Sequence, residues 1–390
     1  ALQNIINDPE KRKKLVIYIN PPYAESNGKI SLNRSNIQQS KVYTKYNDKL
    51  DKVAPELFAQ FLARIYFEIN GCIIGEFSKL KILQSGNSFK FRNLFFAKLE
   101  KIFLVPGNTF DNVKGIFPIG FKIWNTSIKE VFEQIQADVY VKNDFSGIKN
   151  IYSYDLAKGK INNWLSFYKE KSSNINFGVL MADAPDFQHN KLVVLRSDKP
   201  KGHGIHFQIT NQNLIFSAIY LSIRHCIDAT WLNDRDQFLY PNDGWKNDLD
   251  FQNDCFAFAL FHGQNRITSS EGTNHWIPFT EYEVNAQAKF ESNFMTNFIK
   301  GKIKQEVTND TLFEQTKTEE QKPLVFSEEA TAVFDAGREL WKYYHAQQFP
   351  SFGGVAEGRG GYNVNASLYD IREYFQGRND KGRMNSKSDD

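Results

Sequence analysis

The chain's 390 residues, 41% hydrophobic and 24% charged, describe folded domains rather than a disordered polymer, and the length suits two or three of them. No run of roughly 18 apolar residues occurs, which argues against a helical membrane span. Residues 1–14 lack the basic, apolar and small-residue order of a signal peptide. Cys72, Cys226 and Cys255 cannot all pair and form no close CxxC, so a reducing, cytoplasmic setting is expected. Residues 1–130 hold 20 Lys+Arg against 11 Asp+Glu, net +9, while the remainder is net −6. A basic amino-terminal third suits a phosphate backbone, and equally a solvated surface.

In chain order, a basic helix end at residues 11–14 leads into Leu15-Val16-Ile17-Tyr18-Ile19, an apolar, β-branched run that reads as a buried parallel strand. It stops at Asn20-Pro21-Pro22-Tyr23, because two prolines end ladder pairing and stiffen the exit. Residues 24–52 are polar and read as a long loop. Residues 56–68 place Leu57, Phe58, Phe61, Leu62, Ile65 and Tyr66 at helical spacing, with Asn70-Gly71 as the stop. A strand over 72–77, a helix over 89–97, and strands over 99–105 and 116–124 follow. This alternation predicts an α/β sheet. Past residue 125 it fades into short strands (177–181, 192–195 and 206–209) among Gly/Asn/Asp turns, an α+β region. A helix over 327–348, with Val333, Leu340, Trp341 and Tyr344 as core, precedes a Gly-rich loop, a helix over 367–375 and a polar tail.

The Asn20-Pro21-Pro22-Tyr23 corner carries the chemistry. Open α/β sheets place ligands at the carboxyl ends of strands. The lone pair of a nucleobase amine is delocalised into its ring, so methylating it requires acceptors that hold both hydrogens and favour a pyramidal nitrogen. The Asn20 carboxamide oxygen and the Pro21 carbonyl are such acceptors, with Pro22 fixing the geometry. Tyr23 offers a flat face for a base drawn out of the helix. The bland alternative is a turn after a strand.

The stretch from Leu15 to Tyr23 resembles motif IV of the gamma-type N6-adenine DNA methyltransferases of bacterial restriction–modification systems. Residues 55–124 are similar to the order of elements that follows it in that family, and Phe117-Pro118-Ile119-Gly120-Phe121 resembles its motif VIII turn. The resemblance implies that Phe117 packs on the opposite face or the edge of the base stacked on Tyr23; otherwise Phe117 is ordinary core. It implies that Phe58, in the motif V position, touches the adenine of the methyl donor, S-adenosyl-L-methionine. It also implies double-stranded DNA as partner, and a nuclease or translocase region or subunit of a restriction system. Three segments follow: residues 1–130 as the carboxyl half of the catalytic domain, 131–326 as a target-recognition domain, and 327–390 as a helical end with a polar tail.

In that family a glycine-rich donor-binding turn and an acidic ribose-binding residue precede the Asn-Pro-Pro-Tyr strand, and only 14 residues stand before Leu15. The expectation is therefore the second half of a Rossmann-like methyltransferase sheet, inactive alone. A permuted order, with the donor turn at residues 352–361, fits less well, because that glycine run follows a helix. The alternatives are a DNA-binding specificity module without autonomous catalysis, or a methyltransferase of the same motif acting on RNA or a protein glutamine. His203 with His206, and His225-Cys226 with Cys255 and His262, match no compact metal-ligand spacing, and no metal is expected.

Overall fold

A computed structural model describes residues 2–21, 41–111, 113, 115–155, 161–169, 176–182, 187–198, 205–233, 244–262, 266–308, 316–320, 322–347 and 362–386. It divides into two compact units.

The first unit, residues 1–164 with 229–241, is built on a mixed sheet of six strands. Helices α1 (Leu2–Ile6) and α2 (Pro9–Arg12) precede β1 (Val16–Ile19), with the Asp8 carboxylate capping α2. α3 (Lys41–Leu50) and α4 (Leu57–Glu68) lead to β2 (Ile73–Lys79). The short α5 (Lys81–Gln84) and α6 (Phe89–Arg92) lead to β3 (Ala97–Pro106) and β4 (Pro118–Lys129). β5 (Gln134–Val141) and β6 (Asp144–Tyr152) form a hairpin, and α7 (Ile161–Trp164) ends the run. The strand order is β1-β2-β4-β3-β5-β6; β1 is parallel to β2, β3 is parallel to β5, and β4 is antiparallel to both of its neighbours.

One face of this sheet is core. Ile74, Leu99, Ile102, Leu104, Trp124, Ala137, Val139 and Ile151 cluster with Tyr46 and Leu50 of α3, with Phe58, Leu62 and Ile65 of α4, and with Phe91 of α6. The other face carries one aromatic ring from every strand. In strand order they are Tyr18, Phe77, Phe121, Phe103, Tyr140 and Phe145, with successive centroids 6.5, 4.8, 5.2, 5.9 and 5.9 Å apart. Gly75 makes room for this row, since a Cβ there would stand 2.9 Å from the Phe121 ring. None of the six rings is buried, and the two end members, Tyr18 and Phe145, are 63% and 58% exposed.

Four expectations are corrected here. The β1 strand is parallel as expected but not buried: it is the sheet edge, and Val16 is 67% exposed. The polar run taken as loop contains α3, whose Tyr46 and Leu50 reach the core. The helix expected over 89–97 stops at Arg92, and Ala97 already begins β3. The sheet continues past residue 130 through the β5–β6 hairpin, so the expected boundary falls between β4 and β5, inside this unit.

The second unit, residues 165–228 with 242–390, holds a three-stranded antiparallel sheet, β8-β7-β9 (β7 Gly178–Ala182, β8 Val193–Arg196, β9 Ile205–Ile209). Helices α8 (Leu214–Cys226) and α9 (Leu249–Phe261) pack together, followed by α10 (Phe294–Ile299), the pair β10 (Lys304–Thr308) and β11 (Thr316–Glu320), α11 (Glu328–His345) and α12 (Leu368–Gln376). α11 buries Ala330, Phe334, Gly337, Trp341 and Tyr344, whereas Val333 is exposed and Leu340 half-buried. The apolar stripe passes through Gly337, where a Cβ would meet the Phe261 ring at 2.5 Å.

Candidate active site at the end of the edge strand

Strand register sets the geometry of the corner. Ile19 lies opposite Glu76, so β2 runs three residues farther, through Phe77, Ser78 and Lys79, beside the exit of β1. There Asn20 is exposed and Pro21 is buried. Pro22 and Tyr23 lie outside the described residues. β4 runs the opposite way, with Ile119 opposite Lys79, so the residue just before β4, Phe117, stands at the same edge of the sheet as Asn20.

Phe117 is half-buried and stands outside the core cluster. Its carbonyl accepts a 2.8 Å hydrogen bond from the Gly107 amide. The Lys79 ammonium lies 5.4 Å from its ring centroid. A Cβ at Gly115 would come 2.8 Å from the ring, so only glycine lets the loop close on it. These contacts hold Phe117 as a partly exposed wall. Phe58, by contrast, is 3% exposed and packs in the core, and its role on this structure is packing.

Directly behind the corner lies a fully buried ion pair. Glu76 and Lys122 face each other across β2 and β4, 3.1 Å apart, each with 0% side-chain exposure. The Lys122 ammonium also donates to the Ser78 hydroxyl at 2.7 Å, the Ser78 carbonyl at 3.1 Å and the Gly120 carbonyl at 3.2 Å. The Trp124 indole N–H donates to Glu76 Oε1 at 3.2 Å, and Oε2 of the same carboxylate is buried without a hydrogen-bond partner among the described residues. Burial lowers the Lys122 pKa, and the facing carboxylate opposes that shift. Sequence reasoning passed over this pair. The available signal was a charged residue inside each of two apolar runs, at Glu76 and at Lys122.

The histidines and cysteines weighed as a zinc set do not converge. His225 and His262 lie with centroids 4.0 Å apart and their rings tilted by 48°, and His225 Nε2 bonds the Val193 carbonyl at 2.7 Å. Among the described residues no three His, Cys, Asp or Glu side chains are placed to share a metal ion. His203 lies outside the described residues. Among the described residues, no helix is long and apolar enough to cross a membrane.

No protein-family model and no curated protein sequence matches the chain. Several solved structures are similar over part of it, two of them as follows. One is a modification subunit assigned to a type I restriction enzyme from Vibrio vulnificus YJ016, at 18% identity and TM-score 0.22, covering 40% of this chain and 32% of that one. The other is a nuclease-deletion mutant of the Type ISP restriction-modification enzyme LlaGI in complex with a DNA substrate mimic. It is 12% identical with TM-score 0.29, covering 45% of this chain and 18% of that one. The matched part of this chain thus spans about a third and under a fifth of those two proteins, and likenesses of that extent carry no function across.

Proposed function

We propose that the first unit is the base-binding, carboxyl half of an S-adenosylmethionine-dependent DNA adenine N6-methyltransferase of a restriction–modification system. The observation that carries this reading is the placement of Asn20, an exposed residue, at the carboxyl end of an edge strand, with the half-buried Phe117 at the same edge of the sheet.

The chain's own part in the reaction follows from its acceptors. A flipped adenine presents two N6 hydrogens, which the Asn20 side-chain oxygen and the Pro21 carbonyl accept. Holding both hydrogens draws the nitrogen toward a pyramidal shape and frees its lone pair, and no strong base is needed beforehand. Tyr23 and Phe117 supply the apolar surfaces that hold the ring.

The methyl donor itself does not fit the described residues. Phe58, the donor contact that the resemblance implies, is enclosed in the core. No step is therefore routed through the donor. The open side of β1 supports a reading in which the donor site is contributed by another α/β segment. Parallel strands are ordinarily covered on both faces, and Val-Ile-Tyr-Ile at an edge carries none of the lysines, prolines or bulges that protect natural edges.

The test uses duplex DNA with randomised flanks and a mismatched adenine, the easiest kind of base to extrude, beside a 2-aminopurine that brightens when its neighbour leaves the stack. The full chain should raise 2-aminopurine fluorescence, and Tyr23→Ala should weaken that capture by about 1–3 kcal/mol. DNA binding without any fluorescence change would favour a specificity module that does not take up the base. Calorimetry with S-adenosylmethionine should show no saturable binding to the chain alone.

A further inference from the structure

The buried Glu76–Lys122 pair is an expensive way to fill a core. Removing two charges from water costs about as much as their attraction returns, and a well-packed apolar pair of similar volume is often at least as stable. The Glu76 Oε2 atom adds to that cost, since it is buried and has no hydrogen-bond partner among the described residues. Stability therefore does not account for the pair, whereas its location does.

Both walls of the candidate site are counted from Glu76. On one side Glu76 stands opposite Ile19, one residue before Asn20. On the other it stands opposite Lys122, five residues after Phe117. The Lys122 ammonium then reaches the next opposed pair toward the carboxyl edge, Ser78 and Gly120, and binds both of their carbonyls. The neighbouring positions on the aromatic face, Phe77 opposite Phe121 and Gly75 opposite Ile123, are apolar, and there the fit of the Phe121 ring over Gly75 is what distinguishes the native register from one shifted by two. A two-residue slip moves one strand about 7 Å along the other, and changes by that much how far the Phe117 turn stands beyond the Asn20 corner, four strand positions in the native register.

We propose that Glu76 and Lys122 are positioning residues, whose buried cross-strand pair fixes the register that sets the Phe117 turn four strand positions beyond the Asn20 corner. What that spacing serves rests on the adenine-binding reading above; the register claim itself can be tested without DNA.

The test is made in the full chain by disulfide mapping in two backgrounds, native and E76L/K122M. Cysteines are placed at Ile73 with Asn125, which are opposed in the structure, or at Ile73 with Ser127, which would be opposed after a two-residue slip. A disulfide spans Cα separations of only about 4.4–6.8 Å, so it cannot bridge both registers. Peptide mass spectrometry separates these products from any that involve Cys72. In the native background only the 73–125 bridge should form. In E76L/K122M the chain should melt at or above the native temperature, and the 73–127 bridge should appear in comparable yield. A melting point well below native would make the pair a stabilising element and overturn the proposal. So would an intact E76L/K122M chain that still forms only the 73–125 bridge. Loss of base capture alone, with the register result as expected, would count against the adenine reading and not against the positioning role.

Discussion

The corner after β1 and the polar knot around α12 treat their hydrogen-bonding groups in opposite ways. At the corner Asn20 faces solvent on the edge strand of a sheet whose aromatic row is nowhere fully buried. Around α12 the polar side chains meet one another. Asp370 takes Arg266, the Asn274 amide and, through a reciprocal capping box, Ser367. Arg266 continues to Glu373, which also holds Arg378, and Asn365 is bound at both ends by Glu291. A satisfied network of this kind specifies one geometry and makes a stable scaffold. Polar residues at an exposed strand end are within a ligand's reach.

The largest loss that would sharpen this contrast is expected on acidification. Burial holds His275 and His345 in the second unit at a pKa of about 4, below the ordinary 6.5. Histidines depressed in the fold stabilise it above pH 6.5, and that stability is lost as pH falls from 6.5 toward 4. The effect is about 1.4 kcal/mol per unit for each group. Urea midpoints for this unit should therefore fall steeply between pH 7 and 4.5, and a flat profile would contradict their burial as neutral rings.

Next in size is Lys122→Ala, which strands the Glu76 carboxylate in the core and should cost about 3–5 kcal/mol by urea unfolding. Asp370→Ala, which removes one partner each from Arg266, Asn274 and the Ser367 amide, should cost about 1–3 kcal/mol. Smallest is Tyr18→Ser at the exposed end of the aromatic row, where the loss should stay within about 0.5 kcal/mol. A loss as large as that of Asp370→Ala would mean that the row is already covered.

Much of the sheet was legible because its strands obey simple patterns. β1 and β2 are apolar runs with clear stops, and α4 shows its stripe at Phe58, Leu62, Ile65 and Tyr66. The β5–β6 hairpin was not legible. One of its faces is polar, with Gln134, Gln136 and Asp138 alternating with apolar residues, and its turn uses Lys142 and Asn143 at φ of 51° and 70° rather than a glycine. In α11 Trp341 and Tyr344 are core as expected, whereas Val333 and Leu340 are not, because Gly337 sits on the stripe: a residue with no side chain hides a helix face that Phe261 fills from outside. The α12 knot joins residues about 100 positions apart, such as Arg266 and Asp370, and no local pattern announces such pairs. At the site, Asn20 and Phe117 stood out from the chemistry of their neighbours, whereas the pair behind them depends on a register known only from the fold.

The most direct measurement is capture of the mismatched adenine by Asn20→Ala, read from the adjacent 2-aminopurine. If the carboxamide holds a flipped base, the variant melts with the native chain and binds duplex DNA equally well, yet the fluorescence rise is lost. Native-level capture by Asn20→Ala would contradict the account at its centre.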